Sequence, residues 1–260
     1  MQLSVNGVDT FVATGGRPFD PSLPAVVMLH GAGFDHSTWA LHSRWFAHHG
    51  HSVLAPDLPG HGRSGGKPLP TIADMADWTA ALLDAARAPK AKLVGHSMGS
   101  LIALETSARH PDRVSGLSLI GTAATMTVGP DLLKAAEANS IDAIDMVSIW
   151  GLGFKAELGG SLAPGLWMHQ GAQRVLQQMR PGVLYNDLNA CNSYRNALAA
   201  AAQVRVPATF ILGERDMMTP AKAGRTLAAA TPNSRTIIVP GAGHMIMSEA
   251  PDELLAALQQ

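Results

Sequence analysis

The pentapeptide Gly95-His96-Ser97-Met98-Gly99 sets a serine between two glycines, after the apolar run Lys92-Leu93-Val94 and before a helical pattern over Met98–His110. A Gly-x-Ser-x-Gly turn between a strand and a helix bends the chain sharply and leaves the serine hydroxyl exposed above the sheet. That hydroxyl is a poor nucleophile at neutral pH and needs an adjacent base. Among eleven histidines, His244 stands in Pro240-Gly241-Ala242-Gly243-His244, directly after the last apolar run. The others offer less. His42, His48, His49 and His51 surround the end of a helix expected to stop at Gly50 and read as a solvated helix end, and His110 ends another helix.

A histidine base needs a carboxylate to fix its tautomer and to stabilise the imidazolium it becomes. Gly213-Glu214-Arg215-Asp216 follows the preceding apolar run, whereas Gly121-Thr122-Ala123-Ala124 offers no acid. Asp216 reaches further past the strand end and is favoured, with Glu214 as the alternative. His30-Gly31-Ala32-Gly33-Phe34 follows a third apolar run. Its glycines let backbone N–H groups turn toward a developing oxyanion, the donors being Ala32 and Met98, the residue after the serine. A phosphate-binding reading of this loop fails, because neither Gly-Lys-Ser/Thr nor a Gly-x-Gly-x-x-Gly opening a helix is present. The chemistry implied is nucleophilic acyl transfer.

These residues must be held by elements that bring strand ends together. Leu3–Val5 and Thr10–Ala13 read as a hairpin about Asn6-Gly7, a two-residue turn signal. Ala25–Leu29, Ser52–Ala55, Lys92–Val94, Val114–Ile120, Ala208–Leu212 and Arg235–Val239 are short continuous apolar or β-branched runs, the pattern of parallel strands covered on both faces. Thr71–Ala86 carries one apolar stripe, and Pro251 opens a last helix with Leu254, Leu255 and Leu258 on one side. Alternation of this kind predicts a parallel α/β sheet whose strand C-termini converge on one edge, where ligands bind. Thr122–Arg205 holds no convincing strand. Its helical patterns (Asp131–Asn139, Ile141–Ile149, Gln170–Met179 and Asn189–Ala202) predict a helical cap over 122–205 inserted in a core formed by 1–121 and 206–260.

Composition narrows the class. Nineteen Lys and Arg against twenty Asp and Glu give a net charge of −1, without the basic surplus of a nucleic-acid binder. One cysteine, Cys191, rules out an internal disulfide or a multi-cysteine metal site and reads as a packed cap residue. No apolar run is long enough for a transmembrane helix, and the N-terminus lacks a signal-peptide pattern, so a cytoplasmic protein is expected.

Taken in order along nearly the whole chain, these motifs resemble the α/β-hydrolase superfamily. The resemblance rests on His30-Gly31, Asp57-Leu58-Pro59-Gly60-His61-Gly62-Arg63-Ser64, Gly95–Gly99, Gly213–Asp216 and Gly243-His244. It implies an α/β-hydrolase fold, with a mostly parallel eight-stranded sheet flanked by helices and a helical cap between strands 6 and 7. It also implies no cofactor, and purely structural parts for Asp57 and His61. Asp187–Tyr194 and Met217–Pro220 are similar to small hydrolases of the esterase and enol-lactonase branches. The expected activity is therefore serine hydrolysis of the carboxylic ester of a small, mainly apolar substrate through an acyl-enzyme. Alternatives are a lactonase or C–C bond hydrolase on a ring-derived acid, a cofactor-free perhydrolase, or a noncatalytic binding module on the same fold. Met126, Met146, Trp150, Phe154, Trp167, Met168, Met217, Met218, Met245 and Met247 supply candidates for an apolar acyl pocket. Arg174, Arg180 or Arg195 reaching that pocket would instead favour an acidic substrate.

Overall fold

A computed structural model describes residues 1–161 and 167–260. Eight strands form one sheet: β1 (Gln2–Val5), β2 (Val8–Ala13), β3 (Ala25–Leu29), β4 (Ser52–Pro56), β5 (Ala91–His96), β6 (Val114–Ile120), β7 (Ala208–Gly213) and β8 (Ser234–Val239). Their order is β1-β2-β4-β3-β5-β6-β7-β8. The β1–β2 and β2–β4 pairs are antiparallel and the rest parallel. The opening hairpin turns at Asn6 and Gly7, both at positive φ, as a two-residue primed turn requires.

Side chains alternate across the sheet with the period of two that strands impose. Val27, Leu29, Leu93, Leu117 and Phe210 enter one core. It is covered by α2 (Ile72–Ala85), α3 (Met98–Arg109) and α10 (Ala221–Ala229). Val26, Met28, Val94, Ile120 and Ile211 face the opposite core, with α1 (Ala40–His48), α11 (Ile246–Glu249) and α12 (Pro251–Leu258). Thr71 caps α2 by accepting the Asp74 N–H at 3.1 Å.

Among the described residues six helices lie between β6 and β7: α4 (Pro130–Glu137), α5 (Ile141–Trp150), α6 (Phe154–Glu157), α7 (Met168–Gln177), α8 (Val183–Ser193) and α9 (Ala197–Ala202). Leu132, Ile144, Val147, Ala156, Leu176, Leu184 and Leu188 join α4 through α8 to the second core, whereas Ala197, Ala200 and Ala201 pack α9 into the first. Residues 162–166 of the expected cap lie outside the described residues. The single helix expected over Asn189–Ala202 is two. The break at Tyr194–Asn196 lets the Tyr194 hydroxyl and Asn196 Nδ2 donate to Glu105 Oε2, at 2.6 and 2.9 Å. The alanine-rich pattern favoured continuation, but tertiary hydrogen bonds outweigh helix propensity, which is worth less than 1 kcal/mol per residue. His42 is a second correction. It is buried, with Nε2 3.2 Å from the Pro251 carbonyl at the start of α12, whereas His48 and His49 are exposed.

The strand order places the site. The chain runs from β3 to β4 on one side, then returns to place β5 on the other side of β3, so the loops leaving β3 and β5 diverge. Ligands bind at such a switch point, outside the C-terminal ends of the strands. Leu29 pairs with Gly95 at that edge, setting the Ala32 loop beside Ser97.

Candidate active site

Ser97 joins β5 to α3 with φ +52° and ψ −118°. A non-glycine residue in that region costs roughly 1–3 kcal/mol and persists only where its surroundings force it. Two close approaches force it here. A methyl group at Gly95 would fall on the Gly99 carbonyl, and one at Gly99 on the Leu29 carbonyl. Only glycine lets α3 start this close to β5 and β3. The Ser97 amide donates to the Ile120 carbonyl at 2.9 Å, which fixes the turn.

The two strand-end loops meet at the carboxyl edge of the sheet. His244 Nδ1 donates to Asp216 Oδ2 at 2.8 Å, both side chains being buried. The amides of Met218 and Thr219 donate to Asp216 Oδ1 at 2.9 and 2.8 Å. The Thr219 hydroxyl donates to Oδ2 at 2.7 Å and lies 3.1 Å from His244 Nδ1. Burial disfavours the Asp216 charge, but His244 and these donors win, and its carboxyl is held below the usual range. Glu214 is engaged elsewhere. Its Oε2 accepts the Gly241 N–H at 2.9 Å and its side chain is half exposed.

With Nδ1 given to Asp216, His244 Nε2 carries the lone pair. It is buried and has no partner among the described residues. His244 and Ser97 line the same cavity of about 330 Å³. His96, between Gly95 and the serine, steadies His244: its Nε2 donates to the His244 carbonyl at 3.0 Å and the two rings lie 4.7 Å apart. Burial and the neighbouring His244 pull His96 down to about 3, so it stays neutral.

The candidate oxyanion donors lie across the serine. Met98 opens α3, so its N–H is one of the first-turn amides without a partner in the helix ladder. The N–H of Ala32 belongs to the Gly31–Ala32 peptide, whose carbonyl is held by His30 Nδ1 at 2.9 Å and by the Phe34 amide at 3.2 Å. A trans peptide points its N–H opposite its carbonyl, so anchoring the Gly31 oxygen aims the Ala32 N–H away from it. His30 Nε2 accepts the Leu58 N–H at 3.2 Å, leaving Nδ1 as the protonated nitrogen, and burial pulls the ring down to about 4.

Of the apolar candidates, Met126, Trp150, Met217, Met218 and Met245 line the cavity, as does Cys191. Phe154 and Trp167 are largely exposed, and Met168 and Met247 are buried without lining it. No Lys, Arg, Asp or Glu lines it among the described residues. Arg174 donates to Gln177, Arg180 to the Ser64 carbonyl, and Arg195 to the carbonyls of Asn192 and Tyr194.

Sequence reasoning missed four supports. Thr219 and His96 are motif neighbours whose contacts only the folded chain reveals. Glu249 Oε2 accepts the amides of Gly153 and Gly243 at 2.8 and 3.0 Å. Asp187, buried on α8, accepts the Gly33 amide at 2.9 Å and His61 Nε2 at 2.7 Å. Asp57 accepts the His36 and Arg63 amides at 2.8 Å each and His36 Nδ1 at 2.7 Å.

A doubly covered parallel sheet with a strained serine turn and a histidine–aspartate pair at its carboxyl edge defines an α/β hydrolase. The chain belongs to the Alpha/beta hydrolase family, whose pattern it matches over residues 26–258. It is 32% identical to the pimeloyl-[acyl-carrier protein] methyl ester esterase of Chromobacterium violaceum, over 97% of this chain and 98% of that one. It is 24% identical to the (E)-2-((N-methylformamido)methylene)succinate hydrolase of Acinetobacter baylyi, over 100% of this chain and 95% of that one. The enol-lactonase of Burkholderia xenovorans superposes with a TM-score of 0.87 at 23% identity, covering 100% and 98% of the two chains. No helix among the described residues is long and apolar enough to cross a membrane.

Proposed function

We propose that this protein is a serine hydrolase that cleaves the carboxylic ester of a small, mainly apolar substrate through an acyl-enzyme. The observation that carries the reading is the 2.8 Å His244–Asp216 hydrogen bond, which leaves the other imidazole nitrogen without a partner among the described residues, on a histidine that lines the same cavity as Ser97. Ser97 Oγ attacks the acyl carbon as its proton passes to His244 Nε2, and the amides of Ala32 and Met98 receive the oxyanion. His244 returns the proton to the departing alcohol. Water, deprotonated by the same nitrogen, then releases the acid and restores the serine. Asp216 holds the tautomer throughout.

Residues 122–205 act as the cap, on a core of 1–121 and 206–260. A lactone is a cyclic ester, so the same machinery opens it. A lining without Lys or Arg among the described residues supports neutral acyl groups over the acidic substrates of a C–C hydrolase. The methyl ester esterase relative supports ester chemistry. Labelling with a fluorophosphonate probe tests the reading: the wild type should react and Ser97→Ala should not. An unlabelled, folded wild type would point to a noncatalytic binding module.

A further inference from the structure

Asp187 projects from α8, in the helical segment, yet its carboxylate is fully buried against two loops of the sheet. Oδ2 takes both His61 Nε2 and the Gly33 amide, while Oδ1 accepts Asn186 Nδ2 at 3.2 Å. The other nitrogen of His61 lies 3.0 Å from the Pro59 carbonyl. A carbonyl and a carboxylate only accept, so both contacts are hydrogen bonds when His61 is an imidazolium, the form that Asp187 favours. Burying such a pair costs desolvation that its attraction often fails to recover, so stability alone is a weak reason for it.

The Gly33 amide supplies a better reason. Ala32 sits between two peptide groups. The Gly31 carbonyl of the first is held by His30 and Phe34. The Gly33 N–H of the second is held by Asp187. With both peptides pinned, the Ala32 N–H has one direction. Remove the carboxylate, and the buried Gly33 N–H finds an acceptor only by rotating its peptide, which turns the loop that carries Ala32. We propose that Asp187, ion-paired with His61, is a positioning residue that presets the Ala32 amide as an oxyanion donor, making α8 part of the hydrolytic centre. The proposal rests on the serine-hydrolase reading above.

The test uses the full chain, 4-nitrophenyl butyrate as substrate, and an alkyl trifluoromethyl ketone, whose adduct with Ser97 places an oxyanion on the same donors. Asp187→Ala should lower kcat about 10- to 100-fold, a part of what losing one oxyanion donor costs, with KM within about twofold. Affinity for the ketone should fall by the same factor as kcat/KM. Asp187→Asn, which keeps an acceptor for the Gly33 N–H, should restore most of the lost kcat. Should Asp187→Ala not fold, the double variant Asp187→Ala/His61→Leu removes the stranded cation and should show the same kcat loss. A kcat within twofold of wild type in either alanine variant, or a ketone affinity that does not follow kcat/KM, overturns the proposal. Ser97→Ala separates the two levels: if it keeps turnover, the serine reading fails, whereas an inert Ser97→Ala beside a fully active Asp187→Ala sinks the positioning role alone.

Discussion

The Gly151 carbonyl, just past α5, accepts the His244 amide at 3.0 Å and the Met245 amide at 2.9 Å. The backbone of the proposed base is therefore held by the helical segment, not by the sheet alone. Glu249 reinforces the joint, its Oε2 bridging the Gly153 and Gly243 amides. Asp187 makes the corresponding joint on the oxyanion side.

Glu249→Ala should loosen the base loop. It removes the acceptor of two partly buried amides, and each orphaned donor costs about 1–3 kcal/mol. Denaturation in urea should show a loss of about 2 kcal/mol or more, with a fall in kcat. A variant as stable as wild type would mean that Gly151 alone holds the loop.

The two acids of the Gly213–Asp216 loop should separate cleanly. Asp216→Asn should cost on the order of 10³- to 10⁴-fold in kcat, because the base loses the partner that fixes its tautomer. Glu214→Gln should stay within about twofold, since an amide oxygen still accepts the Gly241 N–H. Steady-state rates on one ester decide it, and the reverse ordering would move the acid to Glu214.

The sequence pointed to Ser97, Asp216 and His244 because each follows a strand in a parallel sheet, where topology alone brings strand ends together. Supports that arise from distant pairing carried no such signal. Asp187 and Gly33 stand 154 positions apart, and Asp187 read only as part of a motif shared with relatives. His42 misread for the same reason: nothing in the segment before Gly50 shows that the start of α12 will cover that side chain. The break between α8 and α9 depends on Glu105 in α3, a partner that no local window contains.

Stability should depend on pH through buried histidines. His30 and His96 are held near 4 and 3 by burial, so below about 6.5 the unfolded chain binds protons that the folded one refuses. Folded stability should then fall with pH, by on the order of 5 kcal/mol between pH 6.5 and 4 at about 1.4 kcal/mol per pH unit for each ring. His61 works the other way. Burial alone would lower it, but Asp187 raises it above 6.5, so its contribution is complete below 6.5 and is lost as pH rises through its raised value. Asp187 and Asp216, both lowered, stabilise above about 4 and lose that contribution only as pH falls through their folded values. Urea midpoints at pH 8, 7, 5.5 and 4.5 would read the balance. A midpoint flat from 7 to 4.5 would contradict the burial of these rings as neutral groups, and His96→Gln should flatten the acid limb.

Substrate choice follows from the cavity. At about 330 Å³, lined by Met126, Trp150, Met218, Met245 and Leu188 and free of charged side chains among the described residues, it rewards apolar acyl groups that fit. Each methylene buried adds about 0.8 kcal/mol, or roughly fourfold in kcat/KM when the gain is made in the transition state. That rise should stop once the space is full. Methionine walls deform, so the optimum should be broad. Across 4-nitrophenyl esters from two to sixteen carbons, kcat/KM should climb to a maximum at about four to eight carbons and then decline. Carboxylate-bearing esters and acidic lactones should do worse than neutral ones of equal length, because Arg174, Arg180 and Arg195 are engaged away from the cavity. A maximum at the longest chains would mean that the cavity opens further than its volume indicates. A preference for the acidic substrates would require a cation to enter it, and would favour the ring-derived acids of a C–C hydrolase.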